Sequence, residues 1–207
     1  MKIRLEPENY YHIYNHANGR ENLFVNDGNY IFFLQRYAFF ISPIADTFAY
    51  CLMPNHFHIA IRIKSEQELN KLLESSKKQQ FFESLKLSKY EYFISKQFSN
   101  LFSSYTQAFN KQQNRRGSLF IPNFSRKLID SEKYFKQIIH YIHFNPVHHK
   151  FVKDLRDWKY SSFESYFSEK ASKLKRDEVI EWFENKEKFW DFHQNEINEK
   201  MAIELEV

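Results

Sequence analysis

The sequence predicts an α+β fold, an antiparallel sheet with helices packed on it. Residues 46–53 and 56–63 are two apolar, alternating runs joined by Pro54-Asn55, which is typical of two strands in a hairpin. Residues 10–17 are aromatic and alternate in the same way, and a further strand is predicted around 124–129. Stretches whose apolar residues recur at helical spacing separate these strands. The strand pattern and the helix pattern are therefore interspersed along the chain.

Three helices are predicted between and after the strands. Residues 29–42 are too densely apolar for a surface helix and are expected to pack on the sheet, while 101–116 place apolar side chains on one helical face. Residues 132–144 form the third helix, which we expect to end at Asn145-Pro146, because the residue before a proline disfavours helical geometry. The resulting order of elements is that of a ferredoxin-like sheet with helices on one face.

Two further segments complete the predicted organisation. Residues 64–100 are rich in Lys, Ser, Gln and Glu, with a broken helical period, and are interpreted as an insertion of short helices or a loop. Residues 168–207 are expected to be a small helical extension, with helices at 177–184 and 187–200. The predicted main domain is therefore 1–167, followed by this C-terminal extension.

Composition limits the classes of protein to which the chain can belong. A net charge of +4 among 207 residues is compatible with binding nucleic acid but does not establish it. The single cysteine, Cys51, excludes an intramolecular disulfide and a cysteine-based zinc site. The first ten residues lack the apolar segment of a signal peptide, and no run of 18 apolar residues exists, so we expect a cytoplasmic protein without a membrane partner.

The sharpest chemical feature is the pair His56 and His58 within an apolar run. Residues i and i+2 of a strand point to the same face, so both imidazoles stand side by side and can bind a metal ion together. The alternative is a pair of buried histidines whose ring nitrogens are satisfied by hydrogen bonds.

Tyr141 and Asn145 are four residues apart and share one face of the third helix. The amide oxygen of Asn145 is a hard donor that suits Mg²⁺ or Mn²⁺, although the residue can equally be the helix C-cap before Pro146. The phenol of Tyr141 could act as a nucleophile, but a phenol with an ordinary pKa near 10 needs help at neutral pH. The alternative is a tyrosine that fills the core, as most of the 13 tyrosines must do.

Two motifs resemble those of a known family. CLMPNHFHIAI (51–61) resembles the HUH motif of the single-tyrosine HUH transposases, in the branch of the REP-associated tyrosine transposases, and YIHFNPV (141–147) resembles the tyrosine-helix motif of that family. The resemblance covers most of residues 10–167, because the family pattern is also fitted by 11–24, 104–120, 124–130 and 157–167.

The resemblance implies a ferredoxin-like fold in which His56, His58 and Asn145 hold a divalent ion, Mg²⁺ or Mn²⁺. It implies that Tyr141 attacks a phosphate of single-stranded DNA near a hairpin and forms a 5′-phosphotyrosine. Position within the motif favours Tyr141 over Tyr134, its main competitor on the same helix face. A homodimer is left open, as is the use of the tyrosine in cis or in trans.

Basic and imidazole side chains supply the candidate DNA contacts. Arg115, Arg116, Arg126 and Lys127 flank the last predicted strand and could bind phosphates, or they could form a solvated basic turn. Weaker candidates are Lys111, Lys150 and Lys153. The histidines around Tyr141 could contact DNA, shuttle protons or simply pack; they are His140, His143, His148 and His149.

Three other functions compete with a transposase. The first is a domesticated, non-catalytic protein that binds structured DNA. The presence of His56, His58, Tyr141 and Asn145 together argues against it, because binding alone would not require all four. The second is an RNA-binding domain with a ferredoxin-like fold, but the Gly-aromatic run of an RRM is absent. The third is a metallohydrolase that activates water, which would want carboxylate ligands or a third histidine.

Overall fold

The computed structural model describes residues 3–74, 89–197 and Leu205. It confirms the predicted α+β fold with an antiparallel sheet. The sheet has four strands in the order β2-β3-β1-β4. The strands are β1 (Tyr10–His16), β2 (Ala45–Leu52), β3 (His56–Ile63) and β4 (Ser125–Ile129), and every pair is antiparallel.

Six helices are described around the sheet within the ranges given above. They are α1 (Asp27–Phe40), α2 (Glu66–Glu74), α3 (Lys89–Gln112), α4 (Glu132–His148), α5 (Arg176–Trp182) and α6 (Lys186–His193). Two short 3₁₀ turns, Leu155–Asp157 and Phe163–Tyr166, lie between α4 and α5.

Helices cover both faces of the sheet, which corrects the prediction of a single covered face. On one face, Phe57, Ile59 and Ile61 of β3 join an apolar cluster with side chains of α1, α2 and α3. On the other face, Ala60 belongs to a second cluster, together with Ile138 and neighbouring side chains of α4. Helices can cover both faces because the alternating side chains of the central strands are buried on each side.

The predicted end of the third helix at Asn145 is wrong, because α4 runs through Pro146 to His148. Proline fits the helical φ angle, but it has no N–H to donate and its ring crowds the carbonyl four residues earlier, so packing and the bonds after it must hold the helix together. The last turn is held by the N–H of His149, which donates to the carbonyl of Asn145 at 3.0 Å, and by that of Phe151, which donates to Pro146 at 2.9 Å. Asn145 is therefore inside the helix and is not its C-cap.

The segment 64–100 and the tail also differ from the predicted boundaries. Residues 89–100 belong to the long helix α3, while the part of the predicted insertion at 75–88 lies outside the described residues. The second tail helix ends at His193, and residues 194–197 are not helical. The remainder of that predicted helix, 198–200, lies outside the described residues.

The C-terminal segment covers the outer edge of β2 and the outer side of α4. Along the edge, the N–H of Leu52 donates to the carbonyl of Tyr160 at 3.0 Å, and that of Lys175 donates to Thr47 at 2.9 Å. On α4, Trp182 packs on Phe135 with ring centroids 4.6 Å apart. The aromatic side chains of the extension thus pack on the main domain.

A chain of buried hydrogen bonds ties α6 to α4. The Nδ1–H of His193 donates to the carbonyl of Phe189 at 2.7 Å, which leaves its Nε2 as an acceptor 2.9 Å from Nδ1 of His143. His143 must therefore carry its proton on Nδ1, and its Nε2 accepts from the hydroxyl of Ser162 at 2.8 Å. Burial lowers the pKa of His143 to about 3 and holds that of His193 well below its ordinary value.

These histidines predict a loss of stability in acid. The unfolded chain takes up protons below the ordinary histidine pKa of about 6.5, whereas the buried rings do not. The free energy of unfolding should therefore fall as the pH drops below about 6.5. It should fall by up to about 1.4 kcal/mol per pH unit for each such ring, until the pH reaches the pKa that the ring has in the folded protein. In EDTA, His193→Gln should reduce this acid slope in denaturant titrations at pH 7.5 to 4.5. A slope in His193→Gln equal to that of the wild type would contradict the assignment.

Candidate functional site

The two histidines of β3 lie on the sheet face that α4 covers. His56 and His58 are 4% and 1% exposed, and their ring centroids are 5.2 Å apart. The turn before them is anchored, because the N–H of Ala17 donates to the carbonyl of Asn55 at 2.8 Å and that of Leu23 donates to Pro54 at 2.7 Å. Both rings are therefore held at the start of a central strand, side by side, as the i, i+2 spacing predicts.

Helix α4 brings the other two predicted residues to this pair. Oδ1 of Asn145 lies 2.8 Å from Nε2 of His56, and the Tyr141 ring stands edge-on to His58 with centroids 5.3 Å apart. Asn145 is fully buried and Tyr141 is 1% exposed. The structure therefore assembles all four predicted residues around one point between β3 and α4.

Both imidazoles are held in the neutral form that can bind a metal. Burial lowers the pKa of His56 to about 3, although the contact with Asn145 acts in the opposite direction. Burial also holds the pKa of His58 well below its ordinary value, and neighbouring imidazoles add to this effect. At neutral pH each ring carries one proton and offers one lone pair.

The hydrogen-bond pattern at His56 fits a divalent cation. Its Nδ1 lies 2.8 Å from Oδ1 of Asn55, and its Nε2 lies at the same distance from Oδ1 of Asn145. A neutral ring can donate to only one of these two oxygens. If Nδ1–H donates to Asn55, a nitrogen lone pair and an amide oxygen face each other at 2.8 Å. That separation is close to the roughly 3.0 Å between adjacent ligands of an octahedral ion with bonds of about 2.1 Å.

An orphaned ring nitrogen at the same point supports this fit. Within the described part of the chain, the buried Nε2 of His58 has no hydrogen-bond partner. Buried polar groups without partners are rare and call for an explanation such as an ion. Among the described residues, no group of three or more His, Cys, Asp or Glu side chains could hold a metal, so an ion held by the two histidines would take the amide oxygen of Asn145 as its third protein ligand.

Sequence reasoning missed residues of β1 that line the site. β1 pairs with β3 so that Tyr14 lies opposite His58 and His16 opposite His56. His12, which is fully buried, places Nε2 2.9 Å from Nδ1 of His58. The alternation His12, Tyr14, His16 was the available signal, but only the register with β3 shows that these side chains share its histidine face.

The four histidines near Tyr141 in the sequence separate in space. His149 is exposed and packs on His56 with ring centroids 5.1 Å apart, and His148 packs on His149. His140 and His143 instead lie on the outer side of α4, against His193 of α6. Only His149 and His148 are therefore placed to meet a ligand at the site.

The four predicted phosphate contacts occupy different places. Lys127 lies opposite His12 across the β1–β4 register and so shares the histidine face. Arg126 lies on the other face, where it stacks on Phe124 and borders a cleft of about 510 Å³. Arg115 forms an ion pair with Glu21 and hydrogen bonds with its own loop, while Arg116 is exposed.

Tyr134, the competing tyrosine, is further from the histidines. It lies seven residues before Tyr141, about 10 Å along the axis of α4 at 1.5 Å per residue. Burial raises its pKa. Tyr14 is the nearer competitor, because its ring stacks on His58 with centroids 5.6 Å apart.

Comparison with known proteins agrees with the motifs. A Haemophilus influenzae protein described as "Putative REP-associated tyrosine transposase" is 27% identical over 118 residues, which are 57% of this chain and 58% of that relative. The chain therefore matches less than two thirds of the length of the relative. A solved structure described as a REP-associated tyrosine transposase bound to a REP hairpin has a TM-score of 0.57, with 18% identity over 82% of this chain and 85% of that chain. No protein-family profile matches the sequence.

The sheet and its helices thus define a domain with the fold of a tyrosine transposase. The resemblance of the chain to the REP-associated tyrosine transposases is confirmed by the curated relative and by the structural neighbour. In the described ranges, no helix is both long and apolar enough to cross a lipid bilayer.

The contrast between Arg115 and Arg116 gives a prediction about stability. Arg115→Gln should lower the free energy of unfolding by about 1–2 kcal/mol, because it removes several hydrogen bonds that hold the loop after α3. Arg116→Gln is the matched control and should change it by less than about 0.5 kcal/mol, as is usual for a surface site. Urea denaturation measures both, and equal effects would show that Arg115 does not hold the loop.

Proposed function

We propose that this chain is a metal-dependent endonuclease and strand transferase that acts on single-stranded DNA beside a hairpin. The convergence of Tyr141 and Asn145 of α4 on His56 and His58 of β3 carries this proposal. A nucleophile, two imidazoles and an amide oxygen at one point are the parts that covalent cleavage of a phosphodiester needs.

His56, His58 and Asn145 would hold Mg²⁺ or Mn²⁺. The bound ion would draw charge from a non-bridging oxygen of the scissile phosphate and orient the phosphate for attack. The amide ligand favours these hard ions over Zn²⁺. With two neutral imidazoles and a neutral amide, the protein ligands leave the full charge of the ion available to the phosphate.

Tyr141 would be the nucleophile. Its phenolic oxygen forms a bond to phosphorus, the bond from phosphorus to the 3′ oxygen breaks, the phenol loses one proton and the 3′ oxygen gains one. The products are a 5′-phosphotyrosine and a free 3′-hydroxyl. A second 3′-hydroxyl reverses these steps and joins a new strand, so the energy of the phosphodiester is kept without a nucleotide cofactor.

The burial of Tyr141 sets a condition on this reaction. With 1% of the residue exposed, a phosphate reaches the phenol only after α4 or the side chains that cover it move. The same burial favours one alternative, a domesticated protein that binds structured DNA without cutting it.

Single-stranded DNA near a hairpin is the substrate class that we favour. Unpaired bases can splay from the backbone and stack on aromatic rings, whereas a duplex holds its phosphates away from a recessed site. The solved neighbour is bound to a REP hairpin, which supports a hairpin as the recognised element.

Lys127 would bind the phosphate next to the one that is cut. It shares the face of His12, whereas Arg126 faces the cleft on the opposite side and Arg115 is engaged with Glu21. We therefore rank Lys127 first among the predicted DNA contacts, with Arg126 and Arg116 as contacts further along the strand.

The test of the nucleophile is a covalent adduct. Labelled single-stranded oligonucleotides with a hairpin, incubated with Mg²⁺ or Mn²⁺, should give a protein–DNA band on a denaturing gel, and EDTA should remove it. Tyr141→Phe should lower this band at least 100-fold, because only the attacking oxygen is lost. Tyr14→Phe and Tyr134→Phe are the matched controls and should retain it.

Other outcomes of this assay have defined meanings. A band that persists in Tyr141→Phe but vanishes in Tyr14→Phe would move the nucleophile to β1. Cleavage without a covalent band would indicate a metallohydrolase that uses water. Tight hairpin binding without cleavage, across a range of hairpins, would establish the domesticated binder.

The role of Lys127 predicts a change in salt dependence. One lost phosphate contact should reduce the slope of log K against log salt concentration by about 0.7 for a single strand. Lys127→Gln should show this reduction in fluorescence anisotropy titrations with the hairpin oligonucleotide. The control Lys188→Gln, on α6, should leave the slope unchanged. An unchanged slope in Lys127→Gln would rule out the contact.

A further inference from the structure

We propose that His12 is a positioning residue for the metal site, because its Nε2 accepts a hydrogen bond from Nδ1–H of His58 and so turns the lone pair on Nε2 of His58 towards the ion. The proposal rests on the metal site of the proposed function and extends it to a residue of β1. It concerns where the single proton of each neutral ring lies.

The contact itself is buried and geometrically direct. Nε2 of His12 and Nδ1 of His58 are 2.9 Å apart, and the two rings lie edge to edge, with centroids 5.1 Å apart and planes tilted by 25°. His12 lies opposite Ala60 in the strand register, so a methyl side chain leaves room for its ring to reach diagonally to His58. The two residues are 0% and 1% exposed, so water does not compete for this bond.

Only one arrangement of the protons leaves His58 able to bind a metal. If Nε2–H of His12 donates to Nδ1 of His58, then Nε2 of His58 carries the proton and has no lone pair for an ion. If Nδ1–H of His58 donates to His12, then Nε2 of His58 has its lone pair free. In the described part of the chain this Nε2 has no hydrogen-bond partner, which agrees with a position reserved for a ligand.

The identity of the acceptor also suits a phosphate substrate. A metal-binding histidine usually donates its other N–H to a carboxylate, a carbonyl or water, which fixes the ring and its tautomer. Here the acceptor is a second neutral imidazole, so it adds no negative charge beside the site where a phosphate must bind. The two histidines of β3 are then fixed in the same way, His56 by the Asn55 oxygen and His58 by His12.

Two variants of His12 separate positioning from packing. In His12→Gln the side-chain oxygen can take the place of Nε2 as acceptor, whereas His12→Leu fills the space without an acceptor. Mn²⁺ affinity, measured by electron paramagnetic resonance and calorimetry, should fall about 10–100-fold in His12→Leu, the usual cost of losing such a partner. It should stay within about threefold of the wild type in His12→Gln. Thermal melts in EDTA verify that each variant is folded.

A measurement on the wild-type chain avoids the question of folding. Nitrogen-15 NMR of the histidine rings with Mg²⁺ bound should find the proton of His58 on Nδ1, with a coupling across the hydrogen bond to Nε2 of His12. His58→Gln identifies the signals by their loss. A proton on Nε2 of His58 in the Mg²⁺-bound protein overturns the proposal.

The affinities also distinguish this proposal from the one on which it rests. Binding of Mn²⁺ by the wild type, with equal affinity in His12→Leu, overturns the role of His12 and leaves the metal site intact. No binding of Mn²⁺ or Mg²⁺ by the wild type overturns the metal site, and the role of His12 with it.

Discussion

The antiparallel pairing of β1 with β3 is the constraint on which the site depends. It sets Tyr14 opposite His58 and His16 opposite His56, and it lets His12 reach His58 diagonally. Because side chains alternate between faces, a shift of one residue would turn these rings into the apolar cluster beneath α1 and α3. The apolar side chains on that other face, such as Ile13 of β1, therefore fix the position of the polar site.

Helix α4 completes the site because it is buried on nearly all sides. The sheet covers its inner face, and the aromatic side chains of α5 and α6 cover its outer face. Asn145 and Tyr141 consequently project into a region of low dielectric, where an unpaired polar atom is costly and an ion–ligand contact is strong. The described part of the C-terminal extension thus contributes to the position of the site without lining it.

Positive charge on the histidine face of the sheet comes from β4. The site histidines are neutral, so Lys127 supplies positive charge on their face. Arg126, its neighbour on β4, points to the opposite face, and Arg115 is held by Glu21. These basic residues appear equivalent in the sequence, but the fold places Lys127 at the site, whereas Arg115 holds a loop.

Local sequence patterns determined much of the secondary structure and of the candidate site. The i, i+2 spacing of His56 and His58 and the i, i+4 spacing of Tyr141 and Asn145 depend only on the repeat of a strand and of a helix, so they were readable from the sequence. The same applies to the alternating runs that became the four strands. The two motifs added the expectation that the two pairs of residues meet.

Tertiary structure decided what depends on contacts between distant residues. The passage of α4 through Pro146 was not predicted, because the cost of the lost hydrogen bond and of the crowded proline ring is offset by packing that the local rule does not include. The contact of His12 with His58 depends on strand register, and the ion pair of Arg115 with Glu21 joins residues 94 positions apart. A sequence shows which side chains can do chemistry, but only folding brings them within a hydrogen bond of one another, because that distance is set by packing across the whole chain.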